Sequence, residues 1–180
     1  NYSSGKMGFA LAEACAERGA EVTLVAGPVS LKTHHPAIKR IDVESAGEMY
    51  QAAMTAFPSS DAAILCAAVA DYRPENASEQ KIKRETEGEM TLHLVPNPDI
   101  AASLGAIKRE GQVMVGFALE TNDEATHAEG KLKRKNLDFI VLNSLRDQGA
   151  GFRCDTNKIT IIDNAGGVTS YPLKTKREVD

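Results

Sequence analysis

The residues best suited to chemistry stand at the edges of apolar runs. The chain opens on Asn1-Tyr-Ser-Ser-Gly-Lys-Met-Gly8, a small, polar stretch that runs directly into Phe9-Ala-Leu-Ala-Glu-Ala-Cys-Ala-Glu-Arg18. Met7, Ala10, Leu11, Ala14 and Cys15 follow the spacing of one helix face. Ser3 or Ser4 reads as the N-cap, and Gly5 allows a tight turn or a close approach to a ligand. N–H groups at the helix start, the positive end of its dipole and the Lys6 ammonium would together receive a phosphate. The same residues read equally well as an ordinary capped helix, and G-x-x-x-x-G-K-[ST] is absent.

Further along, Asp61-Ala-Ala-Ile-Leu-Cys-Ala-Ala-Val69 is apolar nearly throughout, the pattern of a central parallel strand covered on both faces. It gives way abruptly to Ala70-Asp-Tyr-Arg-Pro74. Ligands of open parallel sheets sit beyond the carboxyl ends of strands, so Asp71 is either a ligand contact or the cap of the following turn. Pro96-Asn-Pro-Asp-Ile100 holds the Asn97 amide between two prolines ahead of a helix from Ile100 to Arg109, with Asp99 at its start. Phe117, near the end of the strand Val113–Ala118, is either a core ring or a base-stacking one. Lys131 and Lys135 share a helix face; such a pair is either solvated or placed for phosphate. His34 and His35 read as a solvated loop pair and not as metal ligands.

The elements that position these residues alternate. After the first helix, closed by Gly19, come strands at Glu21–Ala26 and Ile38–Val43. Ser45 and Glu48 form a capping box for a helix from Ala46 to Phe57, broken by Pro58. Thr91–Val95 alternates as a half-exposed antiparallel strand on a projecting arm, and such an arm suits a dimer contact. A helix from about Asp123 leads into the strand Asp138–Asn143. Lys158–Asp163 and Val168–Tyr171 form a hairpin around Asn164–Gly167, and the tail from Leu173 reads as the start of a helix. Strand–helix alternation predicts a doubly wound, mostly parallel, Rossmann-like α/β sheet with a small β extension, although Gly-x-Gly-x-x-Gly is absent.

Composition narrows the function. The length of 180 residues fits a single domain, 1–180, and a net charge of -4 without a basic stripe argues against nucleic acid. Cys15, Cys66 and Cys154 are few, odd in number and far apart, which predicts a reducing, cytoplasmic setting without disulfides or zinc. No apolar run is long enough to span a membrane. The sequence lacks an initiator Met and starts inside what reads as a motif, as a fragment of a longer chain would.

Several stretches together resemble phosphopantothenate–cysteine ligases: Asn1–Gly8, Cys66-Ala-Ala-Val-Ala-Asp-Tyr-Arg73, Lys81-Ile-Lys83, Asn97-Pro-Asp-Ile100, Val115-Gly-Phe-Ala118 with Glu120-Thr121, and Lys131-Leu-Lys-Arg-Lys-Asn-Leu-Asp138. The resemblance runs in order over nearly the whole chain. It implies a homodimeric, Rossmann-like domain in which CTP activates the carboxylate of 4′-phosphopantothenate as an acyl-cytidylate, and cysteine then displaces CMP. Carried over by position, the CTP contacts are Leu65, Cys66, Ala67, Asp71, Lys81, Asn97, Pro98, Asp99, Ile100, Phe117, Lys131 and Lys135. Asn1 and Lys81 carry the catalytic roles, and Ser3, Ser4, Gly5 and Lys6 form the phosphate loop. Mg²⁺ accompanies the triphosphate, with its protein ligands unknown. The resemblance also places a Gly-rich first strand and an FMN-dependent decarboxylase half outside this sequence. A short-chain NAD(P)H oxidoreductase would need Tyr-x-x-x-Lys, which no tyrosine here provides. A non-catalytic nucleotide-binding module is the other alternative.

Overall fold

A computed structural model describes residues 3–76, 78, 80, 90–120, 124–144 and 156–175. Asn1, Lys81 and Cys154 lie outside the described residues. In chain order the elements are α1 (Lys6–Glu17), β1 (Val22–Ala26), β2 (Ile38–Asp42), α2 (Ala46–Ala56), a short 3₁₀ turn (Phe57–Ser59), β3 (Ala62–Leu65), β4 (Tyr72–Pro74), β5 (Leu94–Pro96), α3 (Ile100–Ile107), β6 (Val113–Glu120), α4 (Glu124–Arg134), β7 (Phe139–Ser144), β8 (Thr156–Asp163) and β9 (Val168–Thr175).

The main sheet has five strands in the order β3-β6-β7-β8-β9. β3, β6 and β7 run parallel, and β8 and β9 complete the sheet as an antiparallel hairpin. β1 and β2 form a separate parallel pair, and β4 and β5 an antiparallel one. The architecture is thus mixed α/β, as the alternation predicts.

Alternation along each strand separates the two faces of the main sheet. One face presents Met114, Ala118, Ile140, Leu142 and Ile162, which join Ile100 and Leu104 of α3 and Ala128 and Leu132 of α4 in one core. Met49, Tyr50, Ala53 and Met54 of α2 pack against the same core. The opposite face presents Val115, Phe117, Val141 and Ile161 around a cavity of about 140 Å³, closed on one side by Met7 and Leu11 of α1. Ile64 and Phe139, on that same face, are 41% and 39% exposed.

That open face corrects two expectations. The run Asp61–Val69 forms a strand only over Ala62–Leu65, and Ala62 and Ile64 stay exposed. β3 is an edge strand of the main sheet and is covered unevenly: Ala63 and Leu65 pack on the core, while Ile64 only lines the cavity under Met7 and Leu11. In α1 the buried residues are Phe9, Ala12 and Ala16, while Met7 and Leu11 are only partly covered. Phe9 faces the small sheet, with the Arg40 guanidinium over its ring at 5.3 Å. Apolar residues therefore occur on more than one side of this helix, and one periodic stripe picks out only one of them.

Local chemistry explains most helix ends. Glu48 N–H donates to Ser45 Oγ at 3.1 Å and Ser45 N–H to Glu48 Oε2 at 2.9 Å, the reciprocal box expected from the sequence. α1 closes through Ala20 N–H to Cys15 O and Gly19 N–H to Ala16 O, both at 3.0 Å, with Gly19 left-handed. Asp99 caps α3 by accepting from Ala102 N–H at 3.0 Å. β8 and β9 turn through Asn164–Gly167, where Asp163 Oδ1 accepts from Ala165 N–H and Gly167 N–H at 2.9 and 2.8 Å. The tail departs from expectation, because Leu173–Thr175 belongs to β9 and not to a helix. Among the described residues no helix is long and apolar enough to cross a membrane.

Candidate functional site

The site assembles past the carboxyl end of β3. α1 reaches it first: a Cβ built on Gly8 would stand 3.2 Å from Cys66 Sγ, so the first turn of α1 lies directly against the strand end. The helix does not start on a serine cap. Its N-cap is Gly5, left-handed at φ 75° and without a side-chain cap bond. Ser3 Oγ and Ser4 Oγ instead accept from the next-but-one N–H groups, Gly5 and Lys6, at a long 3.4 Å. Gly5 is suited to that conformation, and a Cβ there would press on Val29 at 3.1 Å. Ser3, Ser4 and Lys6 are exposed and Gly5 is partly covered, so the expected phosphate loop is a turn whose polar groups face outward.

Beyond Leu65 the backbone leaves the sheet through Cys66, Ala67, Ala68, Val69 and Ala70, small or apolar residues that end at an exposed Asp71. Asn97 is tied to this loop twice. Its N–H donates to Asp71 O and its Nδ2 to Ala70 O, both at 2.8 Å. The short β4–β5 ladder pairs Tyr72 with Pro96 and Arg73 with Val95, so the loop after β3 and the turn before α3 are held side by side. Arg73 was not singled out from the sequence. Its Nη1 donates to Pro96 O at 2.7 Å and to Asn97 Oδ1 at 3.2 Å. The available signal was a proline-flanked turn, short of N–H groups but with carbonyls to satisfy, and a cation more than twenty residues away.

Asp99 links this turn to the lysine-rich helix end. Lys135 Nζ stands 3.0 Å from Asp99 Oδ2, with side chains 22% and 47% exposed. Burial alone would raise the Asp99 carboxyl. The Ala102 N–H and the Lys135 ammonium outweigh it and hold the group below its ordinary value. The Lys135 backbone packs against Gly105 of α3, and its side chain runs back along that helix to Asp99. Lys131, one turn earlier on α4, is partly covered. Phe117 lies mid-strand beside Val141 and lines the apolar cavity under Met7 and Leu11. It therefore shares a depression with the start of α1.

The structure thus brings together Gly8, in the first turn of α1, with Cys66, Ala70 and Asp71 with Asn97, and Asp99 with Lys135. Leu65 and Ala67 flank the same strand end, while Pro98 and Ile100 complete the turn. Among the described residues no group of three His, Cys, Asp or Glu side chains gathers as a protein-built metal cage would need.

The loops gather past the carboxyl ends of parallel strands, the place where α/β domains as a class bind ligands. The family profile of the DNA/pantothenate metabolism flavoprotein C-terminal domain matches residues 1–180, and the chain belongs to that family. It is 52% identical over 162 residues to a coenzyme A biosynthesis bifunctional protein CoaBC from Vibrio parahaemolyticus, covering 89% of this chain and 40% of that one. A relative from an unknown prokaryotic organism, named cysteine/cysteine sulfinic acid decarboxylase, is 59% identical over 179 residues, 99% of this chain and 50% of its own length. The chain spans about half the length of the curated relatives it matches. A crystal structure of the C-terminal domain of CoaBC shares the fold with a TM-score of 0.80 at 40% identity, over 99% of this chain and 80% of that one. The family anticipated from the sequence motifs is therefore the right one.

Proposed function

We propose that this domain joins 4′-phosphopantothenate to L-cysteine at the expense of CTP, through an acyl-cytidylate, in coenzyme A biosynthesis. The observation that carries this reading is the convergence of three separate stretches, the first turn of α1 at Gly8, Cys66–Asp71 and the turn at Asn97, at the carboxyl end of β3. The names of the CoaBC relatives support the pathway.

The chemistry asks for positioning and charge stabilisation more than for covalent help. In the first step a carboxylate oxygen attacks the α-phosphorus of CTP, the bond to the β-phosphate breaks, and pyrophosphate leaves. In the second the cysteine amine attacks the acyl carbon, CMP departs with that carboxylate oxygen, and the nitrogen gives up a proton. The N–H groups at the start of α1 and Lys6 suit an anionic phosphate. Lys131 and Lys135 are assigned to the triphosphate, Asp71 and the Asn97–Ile100 turn to holding the nucleotide, and Phe117 to its base. Asn1 and Lys81, outside the described residues, keep their assigned roles toward the acyl-cytidylate. Cys66 acts through its backbone and not as a nucleophile. Mg²⁺ would accompany the triphosphate, held mainly by its oxygens and by water.

A homodimer in the reducing cytoplasm completes the reading, with an FMN-dependent decarboxylase half in the full-length protein. The dimer has support in the arm, where Tyr72, Met90, Leu92 and Leu94 are 61%, 62%, 59% and 51% exposed. The doubly wound arrangement has support in α1 lying across the main sheet from α2, α3 and α4.

The test is product order. With 4′-phosphopantothenate, Mg²⁺ and CTP the protein should release pyrophosphate without cysteine, and CMP once cysteine is added. CTP binding without pyrophosphate would favour a non-catalytic nucleotide module instead.

A further inference from the structure

Two loops on which the proposed nucleotide site depends are joined by side chains as well as by the β4–β5 ladder. Asn97 Nδ2 donates to Ala70 O at 2.8 Å, on the loop that ends β3. Asn97 Oδ1 accepts from Arg73 Nη1 at 3.2 Å, and the same nitrogen donates to Pro96 O at 2.7 Å. This pattern fixes the amide: its nitrogen must face a carbonyl, and its oxygen must face a guanidinium that can only donate. Both polar ends of the Asn97 side chain are therefore engaged within the protein, as a strut between loops. Pro96 and Pro98 have no N–H, so the strut cannot be replaced by main-chain bonds from those residues.

We propose that Arg73 is a positioning residue of the nucleotide site, clasping Asn97 so that the Asp71 loop and the Asn97–Ile100 turn stay at a fixed separation. This inference rests on the CTP-dependent ligase reading. Arginine suits the task because its planar fork can serve two acceptors in set directions, whereas a lysine ammonium is a single flexible point. Arg73 is exposed, so the clasp matters to the geometry of two loops and little to global stability.

The experiment compares wild type with R73A, R73K, N97A and R73A/N97A. CTP and 4′-phosphopantothenate are varied separately, and thermal unfolding is recorded beside the kinetics. R73A should raise KM for CTP about tenfold, the scale of a lost charged hydrogen bond. KM for 4′-phosphopantothenate and the Tm should hardly move, and R73K should recover part of the loss. The loss in the double variant should fall short of the product of the two single losses, because the Arg73–Asn97 bond is removed in both, although the bond to Pro96 O is lost only with Arg73. An unchanged KM for CTP in R73A would overturn the clasp. So would fully multiplicative losses in the double variant, which would mean that Arg73 acts independently of Asn97. Equal rises for both substrates with a lowered Tm would reduce Arg73 to a structural residue. A wild-type chain that neither turns over nor binds CTP fails the ligase reading and the clasp's role in it together. Turnover indifferent to R73A fails the clasp alone.

Discussion

Gly105→Ala should lower the unfolding free energy by about 2 kcal/mol, measured by denaturant titration, with a Tm loss of about 6 °C. Gly105 is one of three buried residues in α3, and a Cβ there would overlap the Lys135 carbonyl and stand 3.2 Å from Asn136 Cβ. The obstacle is backbone and cannot swing away as a side chain would. The same shift would break the bond from Asn136 Nδ2 to Gly105 O, now 3.0 Å. Overpacking costs ~1–3 kcal/mol and the lost bond ~1, against ~1 gained in helix propensity. Gly130→Ala is the control: it is also a helical glycine, but nothing lies within 4 Å of its would-be Cβ. It should be neutral or slightly stabilising. Equal effects at both positions would mean that α3 does not meet the turn after α4 backbone to backbone.

Lys135→Met should reduce kcat/KM for CTP about 100-fold, the scale of removing one charge-stabilising donor. The loss is steep because two things change at once. The triphosphate loses an ammonium, and the Asp99 carboxylate, 3.0 Å from that ammonium, is left unneutralised beside the site. Stability should change by less than ~1 kcal/mol, since Asp99 is half exposed and the pair is partly solvated. Asp99→Asn separates the two roles of the pair. It breaks the same contact but keeps the ammonium, so CTP binding should fall far less than in Lys135→Met. Equal losses in both variants would make the pair a helix clamp and remove Lys135 from the triphosphate.

What was legible in the sequence was local. Ser45 and Glu48, Gly19, Asp99 and the Asn164–Gly167 turn each satisfy or redirect a backbone group within a few residues, and a spacing of three or four positions betrays them. The order of strands and helices followed from the same punctuation. The edge position of β3 was not legible, because an apolar run reports that a residue can be buried and not which element covers it. Ile64 and Val115 are as apolar as Ile140, yet Ile140 is packed into the core with α3 and α4 while they only line a cavity under α1. The start of α1 misled for a related reason: two serines offered a cap, but a left-handed Gly5 turned the chain instead. The candidate site residues come from resemblance, whereas Arg73 bonds to Pro96 and Asn97 across a sequence gap that no local spacing spans.

The most direct test follows one oxygen. 4′-Phosphopantothenate labelled with ¹⁸O in its carboxylate would be incubated with CTP, Mg²⁺ and cysteine, and the nucleotide and phosphate products analysed by mass spectrometry. An acyl-cytidylate transfers one labelled oxygen to CMP and none to pyrophosphate. Label in phosphate or pyrophosphate, with unlabelled nucleotide, would mean activation at another phosphorus and would contradict the account.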